Sequence, residues 1–173
     1  DTETVHDELS GKIRMRLGYV FFRQAKWDKT ITAYRDACAC FEACGNTEKQ
    51  IEVMVLWGNA LRNATDYPDA LALFQKIETM PSYETLREKN APLFLNFLLY
   101  YGWTHHSACH YTAASSYLEA AEELLSSCEN LVPNKDIAQL YYLRAVEIYN
   151  RADYTLSKTY CEKALIYLRK AYG

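Results

Sequence analysis

The densest group of chemically capable side chains in this 173-residue sequence is His105-His106-x-x-Cys109-His110. Imidazole and thiolate are metal ligands, and the pairs His105/Cys109 and His106/His110 have the i, i+4 spacing that sets two donors on one helix face. The two pairs point about 100° apart around a helix, so they do not converge on one ion. A second group, Cys38-x-Cys40-x-x-x-Cys44, puts Cys40 and Cys44 on one face but has no histidine nearby in sequence. Glu119, Glu122 and Glu123 read as the solvated face of a helix. No Gly-rich phosphate loop, Gly-x-Ser-x-Gly or His-Glu-x-x-His pattern occurs. The expectation is a protein that is not an enzyme and uses no metal or cofactor.

The elements that would carry these residues repeat. A small residue is followed nine places later by an aromatic four times: Gly18 to Trp27, Gly58 to Tyr67, Gly102 to Tyr111 and Ala145 to Tyr154. Twelve places past each anchor stands a small residue, Thr30, Ala70, Ala114 or Ser157, and nineteen past it Ala37, Ile77, Ala121 or Ala164. Apolar residues three and four apart put one stripe on a first helix A and another on a second helix B, as in Ile13, Leu17, Val20 and Phe21 against Ile31, Tyr34, Ala37 and Phe41. Small residues at the crossing let the two backbones approach, and the aromatic closes the end of the pair. Each pair leaves an apolar side that only another pair can cover.

This register resembles the tetratricopeptide repeat. Leu17-Gly18-x-x-Phe21-x-x-Gln24-x-x-Trp27-Asp28-x-Thr30-x-x-x-Tyr34-x-x-Ala37 and Trp57-Gly58-x-x-Leu61-x-x-Ala64-x-x-Tyr67-x-x-Ala70-Leu71-x-x-Phe74 carry the likeness most fully. The unit of Tyr101-Gly102 is looser, and the fourth has Arg144-Ala145 for the large-small pair. The resemblance implies an all-α fold, an α-solenoid of about four antiparallel helix-turn-helix repeats near 11–44, 51–84, 95–128 and 138–171, winding as a right-handed superhelix within a single domain, 1–173. Successive anchors are 40, 44 and 43 residues apart rather than the family's usual 34, so the helices or their connections are longer. Such long repeats resemble those of cargo adaptors and bacterial peptide-sensing regulators.

Eight helices are expected, A near 12–25, 47–64, 92–108 and 135–151 and B near 28–44, 68–80, 112–129 and 155–170. Gly45-Asn46-Thr47 reads as a helix stop and new N-cap, with Thr47-x-x-Gln50 in capping-box spacing. Pro81 to Pro92 breaks the chain twice and has room for an extra short helix; the residues before Ser10 extend the first helix backwards.

Half the residues are hydrophobic and only six are glycine, as a continuous helical core requires. The net charge of −3 argues against nucleic acid as a partner. The longest apolar run, Leu93 to Trp103, is interrupted by Asn96 and too short to span a bilayer, so no membrane partner is expected. Six cysteines without secreted-type spacing favour a reducing, cytoplasmic setting. The start at Asp1, without methionine or signal peptide, suggests an excised or processed piece of a longer protein.

What remains is the face of the A helices opposite the packing stripe: Arg16, Tyr19 and Arg23; Asn59, Arg62 and Asn63; Tyr100, Trp103 and His106; Tyr142, Tyr149 and Asn150. Rigid aromatics among arginines and asparagines suit a groove for a protein or peptide partner. In peptide-binding members of the family an inner-face asparagine holds the ligand backbone, and Asn59 matches it. The lysine-asparagine clamp for a C-terminal carboxylate is unmatched, since Met15 and Tyr19 occupy those places. The leading expectation is a non-catalytic protein- or peptide-binding scaffold. The alternative is a ligand-sensing or self-assembly domain of a larger regulatory protein. Single-stranded RNA stacking on the aromatics ranks behind both. The last B helix carries Leu165, Ile166, Leu168, Ala171 and Tyr172 with no later helix to cover them, which suggests following helices or a homo-oligomer through the C-terminal helix.

Overall fold

A computed structural model describes residues 2–173, with side chains from Asp7 onward. Nine α-helices and one short 3-10 turn make up the described residues, and they contain no strand. In chain order these are α1 (Thr2–Arg23), α2 (Trp27–Ala43), α3 (Thr47–Asn63), α4 (Tyr67–Glu78), α5 (Tyr83–Lys89), α6 (Ala91–Ser107), α7 (Tyr111–Cys128), α8 (Asn134–Asn150) and α9 (Tyr154–Tyr172). Seven of the eight expected helices match within a few residues, and the first begins at Thr2 rather than near 12, with the expected backward extension before Ser10. The ninth, α5, fills the stretch bracketed by Pro81 and Pro92. Where the sequence suggests a single array, the chain forms two compact units, Asp1–Glu84 and Thr85–Gly173.

Each aromatic of the repeat is the first residue of a B helix: Trp27, Tyr67, Tyr111 and Tyr154. Two residues earlier stand Ala25, Thr65, Cys109 and Ala152, all left-handed, with φ of 53°, 64°, 63° and 64°. The intervening residues also agree, Lys26 at φ −89°, ψ 73°, Asp66 at −88°, 72°, His110 at −87°, 64° and Asp153 at −88°, 77°. In the first three turns the Lys26, Asp66 and His110 amides donate back to the Phe21, Leu61 and His105 carbonyls, the bond that closes a Schellman turn. Four non-glycine residues thus occupy a backbone region that glycine enters without steric cost.

The anchors lie at helix crossings. A Cβ on Gly18 would stand 2.4 Å from the Tyr34 ring and one on Gly58 2.5 Å from the Phe74 ring. At Gly102 the nearest atom is Leu118 Cγ at 3.1 Å, so this crossing is looser. The residues twelve past the anchors, Thr30, Ala70, Ala114 and Ser157, are all buried. Ser157 Oγ donates across its hairpin to the Ala145 carbonyl, 2.8 Å away.

In Asp1–Glu84, α1 packs on α2, α2 on α3 and α3 on α4; in Thr85–Gly173, hairpins α6–α7 and α8–α9 join through α7 against α8 and α6 against α8. Two sequence expectations are corrected. The α3 cap is Asn46, whose Oδ1 accepts from the Lys49 amide at 3.1 Å, because Gly45 takes the left-handed stop and leaves Asn46 to turn the chain into the helix. Ile13, Leu17 and Val20 are not core: they are 53 %, 46 % and 47 % exposed.

Candidate functional site

In Asp1–Glu84 the expected site residues divide. Arg16, Tyr19 and Arg23 are exposed on α1. Asn59 and Arg62 are buried on α3, where the Arg62 guanidinium donates to Asn59 Oδ1 at 2.9 Å and Asn63 Nδ2 donates to the Asn59 carbonyl at 2.7 Å. The asparagine expected to hold a ligand backbone thus already accepts from its own helix. Nothing in the repeat register distinguishes such a self-satisfied i, i+3 and i, i+4 cluster from a row of free donors.

In Thr85–Gly173 the picture differs. Tyr100 and Trp103 of α6 and Tyr142 of α8 line a cavity of about 610 Å³. Its other wall is α9, which contributes Leu165, Leu168 and Tyr172, the apolar residues that the sequence leaves uncovered. Lys135, Asp136 and Gln139 supply the polar groups from the first turns of α8.

Asp136 is the residue that sequence reasoning missed. It is 8 % exposed, yet no hydrogen bond or ion pair to its carboxylate occurs among the described residues. Burial pushes its carboxyl above the usual range, and the Lys135 ammonium opposes this. Nine residues before the anchors stand Leu9, Lys49, Leu93 and Asp136, a mixed set that does not single Asp136 out. The carboxylate of Asp136 thus shares its cavity with the rings of Tyr100, Trp103 and Tyr142.

The remaining candidates lie apart from the cavity lining. His106 Nε2 and Asn150 Nδ2 pair at 2.9 Å, and Tyr149 packs on Tyr154 at 5.3 Å between ring centres. The histidines do not meet in the pairs their spacing suggests. The turn after Ser107 folds His110 back, so that His105 Nδ1 and His110 Nδ1 come within 3.4 Å. His105 stacks on Tyr117 at 5.4 Å, and burial, then the neighbouring His110, lower its pKa. No group of three or more potential ligands is placed to hold a metal ion among the described residues. All six cysteines are free thiols.

Glu122 does not sit on a solvated face. It accepts from Arg144 Nε at 3.1 Å and from the Tyr160 hydroxyl at 2.7 Å, while Arg144 Nη1 also reaches Glu147 at 2.7 Å. Arg144 stands where the other units carry Leu17, Trp57 and Tyr101, so a polar network joins α7, α8 and α9 at the place of an apolar contact. Arg144 thus meets the carboxylates of Glu119, Glu122 and Glu147, the last also paired with Arg151, and these bonds tie the helices together, which suits a structural role.

Compared with known proteins, the sequence matches no protein family and no curated protein significantly. No described helix is long and apolar enough to cross a membrane.

Proposed function

We propose that this chain is a non-catalytic, tetratricopeptide-like binding module, and that its receptor surface is the cavity bounded by α6, α8 and α9. The observation that carries the reading is the meeting of Tyr100, Trp103 and Tyr142 with uncovered apolar residues of α9 around the unpartnered Asp136. A cavity of this size admits several side chains of a peptide, and its aromatics give rigid apolar area at low entropic cost. The ligand class it fits is an amphipathic helix with a lysine or arginine beside its apolar stripe. Helices are what cover the corresponding faces of α2 and α7 within the chain.

Intrinsic fluorescence tests this. With Trp27 and Trp57 changed to phenylalanine, Trp103 reports alone on the cavity. In a panel of amphipathic helical peptides, basic members are expected to saturate a Trp103 emission change. Tyr142→Ala is expected to weaken binding at least tenfold, roughly the loss of one well-packed anchor. Equal affinities for basic and acidic peptides, or indifference to Tyr142→Ala, would remove the cavity from the account.

A further inference from the structure

The hairpin turn returns one residue to another five places earlier. Lys26 donates its amide to the Phe21 carbonyl at 3.0 Å, Asp66 to Leu61 at 3.0 Å and His110 to His105 at 2.8 Å. The matching pair of the fourth hairpin is Ile148 and Asp153, so only the third turn carries two imidazoles at these places. The i, i+4 spacing of the sequence passes over this pair, because the turn and not the helix brings it together.

The two Nδ1 atoms stand 3.4 Å apart. Ordinary hydrogen bonds from N–H are shorter, about 2.7–3.2 Å. The separation is instead that of two nitrogens on one zinc ion. With zinc–nitrogen bonds of about 2.0–2.1 Å, it subtends an angle of about 110° at the metal, the tetrahedral value.

The His105 ring is held in place from both helices. It lies 4.7 Å from the Tyr101 ring of α6 and stacks on Tyr117 of α7 with 7° between the planes. His110 is exposed, its ring centre 5.6 Å from that of His105. Burial, then the neighbouring His110, lower the His105 pKa, so that near pH 7 its ring is in the neutral form that ligates metals. Since no group of three or more potential ligands forms among the described residues, the pair supplies two ligands and leaves two tetrahedral positions to water. Structural zinc has four protein ligands and catalytic zinc three, so an ion on two exchanges more freely than either.

We propose that His105 and His110 form a two-imidazole site for an exchangeable zinc ion, held by both Nδ1 atoms across the α6–α7 turn and open to solvent beside His110. None of the residues lining the cavity of α6, α8 and α9 takes part, so the site is independent of the peptide-binding reading.

The experiment is calorimetric titration of the folded chain with zinc chloride, followed in parallel by NMR of the histidine rings. Wild type is expected to bind zinc saturably and to shift the ring signals of both His105 and His110. His110→Ala, at an exposed position, is expected to weaken binding at least tenfold, with circular dichroism checking its fold. His106→Ala, which removes the ring paired with Asn150, and Cys109→Ser are expected to stay within twofold of wild type.

Absence of saturable binding overturns the proposal, as does unchanged affinity in His110→Ala. A tenfold loss in His106→Ala or Cys109→Ser overturns it too, since the ion would then rest on another imidazole or on a thiolate. Should His110→Ala disturb the fold, the ring signals of wild type decide: zinc that leaves either His105 or His110 unshifted contradicts the chelate.

Discussion

In the proposed receptor, Asp136 would set stability against recognition. Its folded-state pKa is raised by burial, so between the ordinary value of 3.8 and that raised value the folded protein holds a proton that the unfolded chain has released. Stability therefore falls as pH rises through this window, and above it the charged carboxylate is a net cost that a bound cation would offset. Asp136→Asn is expected to raise the denaturation midpoint at pH 7 and to leave it unchanged well below pH 3.8, in chemical denaturation at both values. A variant less stable than wild type at pH 7 would show that the carboxylate is satisfied in the folded protein. The other chemistry suggested by residue spacing does not assemble as expected, for a local reason. The i, i+4 rule holds only along a continuous helix, and α6 ends at Ser107, so His110 returns to His105 across a turn instead of lying beside His106.

Helices were legible because their signals are local. Asn46, Asp66, Asn90 and Asp153 each cap a helix through a side-chain bond to the amide three residues on, and the four hairpin turns share one backbone shape. Three crossings were legible too, since a glycine sixteen residues before Tyr34, Phe74 or Leu118 marks each. Period alone does not say which neighbour covers an apolar stripe, and so Ile13, Leu17 and Val20 were assigned to a core they do not enter. The crossings carry a graded prediction. Alanine in place of glycine gains roughly 1 kcal/mol in a helix interior, but overpacking costs about 1–3 kcal/mol. At Gly58 a methyl would sit 2.5 Å from the Phe74 ring, so Gly58→Ala is expected to destabilise; at Gly102, with Leu118 3.1 Å away, Gly102→Ala is expected to be near neutral. Urea midpoints decide it. Equal shifts would mean that the two crossings are equally tight.

At the scale of the whole molecule, the proposed receptor is a cavity within one compact unit, Thr85–Gly173. Tyr100, Trp103 and Tyr142 were legible as an aromatic face, and Leu165, Leu168 and Tyr172 as an uncovered one. That the two faces bound one cavity was not legible, because their meeting depends on how α9 lies against α8, a tertiary contact with no trace in periodicity. The short-range bonds of Arg62 and Asn63 to Asn59 on α3 were not legible either, because the repeat register carries no sign of them. The central claim is that recognition belongs to the cavity of α6, α8 and α9. Its most direct test is NMR mapping of isotope-labelled protein as the tightest peptide of the basic amphipathic panel is added. The account predicts that shifts concentrate at the Trp103 indole N–H and the amides of Tyr100, Asp136, Tyr142 and Leu168. Shifts centred instead on Asn59 and Arg62 of α3, with the cavity residues unmoved, would contradict it.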